Sequence, residues 1–181
     1  MKTIFVLDEK NYTEDMPLEL RTTVRALIWR DGKLAMQRAA SGDYKIPGGG
    51  MAPGEDRMTA LAREVWEETG LSILTKTARE IGETVEKRRD VCDPQKRFER
   101  HTYFYEVEAG DEVAPAPLHL TDSEKALGFS AVWADPEEAA AANLHSLSER
   151  HCTERDTKFL IWYLAQVGTP ARREQAVEMT V

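Results

Sequence analysis

Gly49-Gly50-Met51-Ala52-Pro53-Gly54-Glu55, followed after seven residues by Arg63-Glu64-Val65-Trp66-Glu67-Glu68-Thr69-Gly70-Leu71, is the stretch on which the fold turns. Written as spacing it is G-x5-E-x7-R-E-[aliphatic]-x-E-E-x-G-[aliphatic]. Residues 57–69 are mostly good helix formers. Asp56 is suited to cap the helix start, and Gly70 fits the left-handed position that ends it. Met58, Leu61 and Val65, with Ala62 beside them, form an apolar stripe at helical spacing. Glu64 and Glu67 are three apart and Glu64 and Glu68 four apart, so their carboxylates project to one side. A solvated helix face is the competing reading of such a run. Against it, the cluster lies at the C-terminal end of the helix, where the helix dipole disfavours negative charge. Carboxylates held together repel unless countercharge is present. A divalent cation supplies it, and a donor set of hard oxygens suits Mg²⁺ or Mn²⁺.

This pattern resembles the Nudix box, with every defining position filled, and Pro47-Gly48-Gly49-Gly50 resembles the usual approach to it. The order of elements extends the resemblance to roughly residues 20–145. The resemblance implies an α/β/α sandwich: a mixed sheet covered by helices on both faces, with further helices towards the C-terminus. It implies a metal-dependent hydrolase that cleaves a diphosphate linkage in a nucleoside diphosphate derivative by water attack on phosphorus. By the same resemblance, Glu64, Glu67 and Glu68 hold the cation, and the Gly49 backbone lines its site. Arg63 keeps the box glutamates in place, with Glu55 and Gly70 as structural members. Arg38 is the expected phosphate contact. Arg25, on the same strand face as Arg21, is a weaker candidate. Glu124, just before residues 128–134, is a candidate proton acceptor. Homodimers are common in the family, and no residue here establishes one. A different class of function, a non-catalytic nucleotide-sensing or regulatory module on the same fold, stays open. The intact box and the absence of a helix-turn-helix pattern in this sequence favour the enzyme.

Outward from the box, residues 2–7 read as a short strand. Residues 21–29 and 33–37 read as strands joined at Asp31-Gly32, a strong hairpin signal. Residues 44–46 lead into the glycines, and a strand restarts at 71–74. Residues 77–107 read as two long strands around a charged loop at about 86–97. Its Lys87-Arg88-Arg89 and Lys96-Arg97 clusters are read as a solvated tip, nearly balanced by Glu86, Asp90, Asp93 and Glu99. Residues 128–134 form a last strand. Asp135-Pro136 starts a helix reaching about residue 143, and 153–167 is a second. The tryptophans are read as core. One domain spans residues 1–168, and 169–181 is a polar tail expected to be disordered.

The 181 residues carry a net charge of -8, with 41% hydrophobic and 31% charged residues, an ordinary composition for a soluble protein. Duplex nucleic acid and anionic membranes are therefore poor partners. No G-K-[ST] follows the glycines and no G-x-S-x-G elbow is present, so phosphate-loop and acyl-enzyme chemistry are unsupported. Cys92 and Cys152 show no metal or redox spacing and are expected to be free thiols. The apolar run at residues 4–7 is too short for a signal-peptide core. The expectation is a cytoplasmic protein acting on a small molecule.

Overall fold

Asp31 and Gly32 both adopt positive φ, 48° and 73°, and turn the chain between β3 (Trp29–Arg30) and β4 (Lys33–Arg38). Two such residues in sequence match the right-handed twist of the flanking strands. The computed structural model describes residues 2–110, 119–146 and 151–167. Within them the order is β1 (Thr3–Asp8), β2 (Leu18–Leu27), β3, β4, β5 (Tyr44–Lys45), α1 (Arg57–Thr69), β6 (Arg79–Arg89), β7 (Arg97–Glu106), α2 (Asp122–Ala126), β8 (Ser130–Ala134), α3 (Pro136–Ser146) and α4 (His151–Val167).

The strands form two four-stranded sheets where the sequence suggested one. The first is mixed, in the order β1-β6-β7-β2, with β1 parallel to β6, β6 antiparallel to β7, and β2 parallel to β7. In the second, β4 pairs antiparallel with β3, β5 and β8. Period-two alternation along β2 sends Val24 and Ala26 to one core and Leu27 to another. The first core packs Val24, Ala26, Ile28, Tyr105 and Val107 against Ala60, Leu61 and Val65 of α1. The second packs Leu27, Met36, Ile46 and Phe104 against Phe159, Leu160 and Tyr163 of α4 and the alanines of α3. Helices thus cover both faces, as the mixed α/β sandwich requires.

Several boundaries differ from expectation. The strand expected at 71–74 is a single bridge, Ile73 to Ala109, followed by a 3-10 turn at Thr75–Thr77. The charged loop at 86–97 shortens to residues 90–96, because β6 runs on through Arg89. Glu86 and Arg88 are consequently buried, not solvated. Glu124 lies in the short helix α2. All four tryptophans are half-buried. The tail at 169–181 lies outside the described residues. No described helix is long and apolar enough to cross a membrane.

Candidate active site

The glycine run is held as an extra strand beside β2. The Val24 amide donates to Gly49 O at 3.0 Å, Ala26 to Pro47 O at 2.9 Å, and the Met51 amide to Thr22 O at 3.0 Å. At two of its positions a side chain would force a neighbour to move. Gly48 has φ 131°, and a Cβ there would lie 2.1 Å from Val24 O. A Cβ on Gly49 would lie 2.2 Å from Oε2 of Glu64, so the backbone of the run rests directly on that carboxylate.

α1 starts at Asp56, whose carboxylate accepts from the Met58 and Thr59 amides, and ends at Gly70 with φ 72°. Its buried face is Ala60, Leu61, Val65 and Glu68, with Met58 and Ala62 only half-buried. Arg63 binds Glu55 with a two-pronged contact, Nε to Oε1 at 2.9 Å and Nη2 to Oε2 at 2.8 Å. Its Nη1 donates to Glu64 at 2.7 Å and to Glu67 at 3.3 Å, and its Nη2 to Gly50 O at 3.0 Å. One planar fork thus ties the loop before the helix to two helix carboxylates. Glu55 is held well below the usual carboxylate range by that bond and by the Ala52 amide.

Glu68 points elsewhere. Consecutive helix residues are about 100° apart around the axis, so Glu67 and Glu68 cannot face the same way. Glu68 is 2% exposed and accepts from Gly48 N at 2.7 Å and Lys45 Nζ at 2.7 Å. The Gln37 amide, with its nitrogen turned inward, donates to both carboxylate oxygens at 3.2 and 3.1 Å. Burial pushes the Glu68 carboxyl up to about 7, against the pull of Lys45 and Arg25. Lys45 also reaches Glu124 Oε1 at 3.1 Å. Glu124 closes a capping box with Thr121. Burial would raise its carboxyl, but Lys45 and the Thr121 amide and hydroxyl win and hold it well below the usual range.

Among the described residues, no three His, Cys, Asp or Glu side chains are grouped as a metal site with the side chains in these positions. Glu64 and Glu67 converge on Arg63, while Glu68 converges with Glu124 on Lys45. The donor set still fits a hard cation: carboxylate oxygens, a nearby main-chain carbonyl, and no sulfur or imidazole. The protein's own Arg63 and Lys45 supply the countercharge those oxygens require in this arrangement.

A cleft of about 1030 Å³ opens beside this site, lined by Arg25, Lys45, Gly49, Glu55, Arg100 and Glu124, among others. The NUDIX domain model matches residues 19–155, spanning the box, both sheets' central strands and the start of α4. The chain belongs to the Nudix family. A "MutT-like protein" of Streptomyces ambofaciens is 40% identical over 58 residues, which is 32% of this chain and 38% of that protein. The match therefore spans well under half of that relative's length. A NUDIX hydrolase from Nitrosomonas europaea superposes with TM-score 0.50 at 22% identity, over 77% of this chain and 87% of that one. A protein of Chromobacterium violaceum assigned to the nudix hydrolase family gives TM-score 0.50 at 21% identity, over 91% and 92%. These structures share the fold.

Within this Nudix domain, the box residues Gly49, Glu55, Arg63, Glu64 and Glu67 meet at one point, and Gly70 caps the helix. Arg25 is buried on the cleft wall, with Nη1 donating to Ile46 O at 3.0 Å and also to Gly48 O. Arg38 is not among the cleft-lining residues; it is exposed, with its guanidinium 5.9 Å from the Tyr44 ring centre. Sequence reasoning missed Lys45, Gln37 and Arg100. A lysine at an otherwise apolar strand end, directly before the glycines, was the available signal for Lys45. Arg100 becomes visible only through the register of β7.

Proposed function

We propose that this Nudix protein is a divalent-cation-dependent pyrophosphohydrolase of a nucleoside diphosphate derivative, with water attacking phosphorus. The observation that supports it best is the contact of Glu64 with Gly49 under the Arg63 fork, at the mouth of a cleft large enough for a nucleotide-sized ligand. Glu64, Glu67 and Glu68, with the Gly49 backbone, would hold Mg²⁺ or Mn²⁺. When bound, such a cation neutralises phosphate charge and acidifies a water molecule. Arg63 orients Glu64 and Glu67 and fixes them relative to Gly50. Arg25 and Lys45 present positive charge along the cleft wall, where substrate phosphates would lie. Glu124 is ionised at neutral pH and lines the same cleft, so it can accept a hydrogen bond from the attacking water, while its low basicity next to Lys45 makes it a weak proton acceptor. Glu68, being buried, serves by anchoring Lys45 and the Gly48 amide as much as by direct ligation.

One observation favours the second reading, a nucleotide-sensing module: Glu68 and Glu124 already share Lys45 as countercharge. Turnover separates the two. The full chain is incubated with Mg²⁺ and ADP-ribose, dinucleotides, nucleoside triphosphates and nucleotide sugars, then as Glu67→Gln and Glu68→Gln. The enzyme reading expects hydrolysis of at least one substrate and a loss of roughly 10²-fold or more in each variant. No turnover on any substrate, with nucleotide binding retained, establishes the sensing module instead.

A further inference from the structure

The first sheet carries a group of arginines on the face opposite α1. Period-two alternation places Arg21, Thr23 and Arg25 of β2 beside Arg100 and Thr102 of β7, and these beside Thr84, Glu86 and Arg88 of β6. Arg155 of α4 lies over them, fully buried. Two carboxylates pair with this group. Glu86 meets Arg155 at 3.0 Å and Arg100 at 3.6 Å, and Asp156 meets Arg155 at 2.7 Å and Arg25 at 3.9 Å. Arg88 and Arg100 also stack on the Phe98 ring, 4.3 and 5.0 Å from its centre.

Buried guanidinium groups normally have their N–H donors satisfied, because an unpaired buried donor costs the full desolvation of that group. Here Arg25, Arg88 and Arg100 each keep a buried Nε with no hydrogen-bond acceptor, although that of Arg25 faces Asp156 at 3.9 Å. Arg25 is 4% exposed, and both Arg25 and Arg100 line the large cleft. Burial, and then the nearby Arg155, Arg25 and Arg88, push Arg100 down to about 10, as expected for cations gathered without enough countercharge. Glu86 lies closer to Arg155, at 3.0 Å, than to Arg100, at 3.6 Å.

The position of the group in the sheet matters. The glycine run bridges β2 at Thr23, and β7 lies on the other side of β2. Arg100 therefore stands two strand spacings from the glycine run, roughly 10 Å across the sheet. Arg25, on the strand between, lies nearer the glycine run, and its guanidinium donates to Gly48 O.

We propose that Arg100, lying beyond Arg25 as seen from the glycine run, forms a second anion subsite in the cleft, which binds a phosphate or carboxylate group of the substrate beyond the scissile diphosphate. This deepens the hydrolase reading and rests on it for the identity of the ligand. The substrate is then a nucleoside diphosphate derivative with at least one further anionic group.

The test uses the full chain, freed of metal with EDTA and titrated with inorganic tripolyphosphate by calorimetry. The wild type is expected to bind, more weakly as NaCl rises. Arg100→Gln is expected to bind at least tenfold more weakly, with its metal-free melting temperature unchanged or raised. Lys33→Gln, which removes an exposed charge on the β3–β4 hairpin outside the cleft, is expected to bind like the wild type. Failure of the hydrolase reading would appear only in turnover assays and leave these titrations intact. An absence of wild-type binding overturns the subsite, and so does undiminished binding by Arg100→Gln. Where circular dichroism shows Arg100→Gln unfolded, Arg100→Lys decides: it keeps the charge, loses the planar fork, and is expected to bind at least threefold more weakly. Binding by Arg100→Lys equal to wild type overturns the subsite in that case.

Discussion

Gly49 and Glu64 are in direct contact, with a would-be Cβ of the glycine only 2.2 Å from Oε2 of the glutamate. Gly49→Ala must therefore displace the carboxylate, while nothing about the Gly49 backbone conformation forbids alanine. The expected result is a folded protein with kcat/KM reduced by roughly 10²-fold, the usual cost of misplacing a catalytic group by about 1 Å. Gly48→Ala should behave differently. Its φ of 131° and its collision with Val24 O put the strain in β2 itself, so the melting temperature falls as well. Thermal melts and kinetics on both variants separate the two effects.

Arg63→Lys should be almost as damaging as Arg63→Gln. A lysine can satisfy Glu55, Glu64, Glu67 and the Gly50 carbonyl only one or two at a time, whereas the guanidinium serves all of them. Activity and Mn²⁺ affinity, followed by electron paramagnetic resonance, should both drop by roughly 10- to 100-fold. Full activity in Arg63→Lys would show that charge alone suffices.

Lys45→Met gives a pH-dependent stability loss in the metal-free protein. The Glu68 carboxyl is raised to about 7 in the folded chain, so folding is favoured by the protonated form. That contribution is complete at acidic pH and is lost as pH rises towards the folded value. Removing Lys45 takes away a partner that stabilises the carboxylate, so the folded value moves higher still. The Glu68 part of the loss is near zero at pH 5 and grows to at most about 1.4 kcal/mol at pH 8, one pH unit above the wild-type value. It adds to a smaller loss at both pH values from the missing pair between Lys45 and the ionised Glu124. Equal destabilisation at both pH values would count against this account.

His101 lies between Glu83 at 3.1 Å and Glu99 at 2.8 Å. Burial lowers its basicity, but the two carboxylates outweigh that and raise it above the ordinary histidine value. A raised folded value means the stabilisation is fully present below about 6.5 and lost as pH climbs through the higher folded value. Urea midpoints across pH 6 to 9 should therefore decline in the wild type by a component that His101→Gln lacks.

The box, its helix and both caps were legible because they are local. Asp56, Gly70 and the spacing from Arg63 to Glu68 depend only on helix geometry. The hairpin at Asp31-Gly32 was legible for the same reason. Lys45 and Arg100 were not, because their roles come from partners on other elements: Glu68 and Glu124 for one, Glu86 of the neighbouring strand for the other. Strand register decides such meetings, and a single sequence does not print it. The extent of β6 was misjudged because Lys87-Arg88-Arg89 looks solvated, yet Arg88 lies flat on Phe98. Arg38 was named because strand-end arginines look alike until the cleft is known, and it stands outside the lining of the large cleft.

The contact between Gly49 and Glu64 makes the intervening chain a ruler. One residue added or removed between Met51 and Asp56 would turn α1 by about 100° and slide it by about 1.5 Å relative to the glycines, or else break the Asp56 cap. The carboxylate would then no longer meet the backbone that receives it. Length is thus as strictly specified as identity across this loop. The hairpin tip at residues 90–96 carries no such constraint, so insertions there should leave the box geometry untouched.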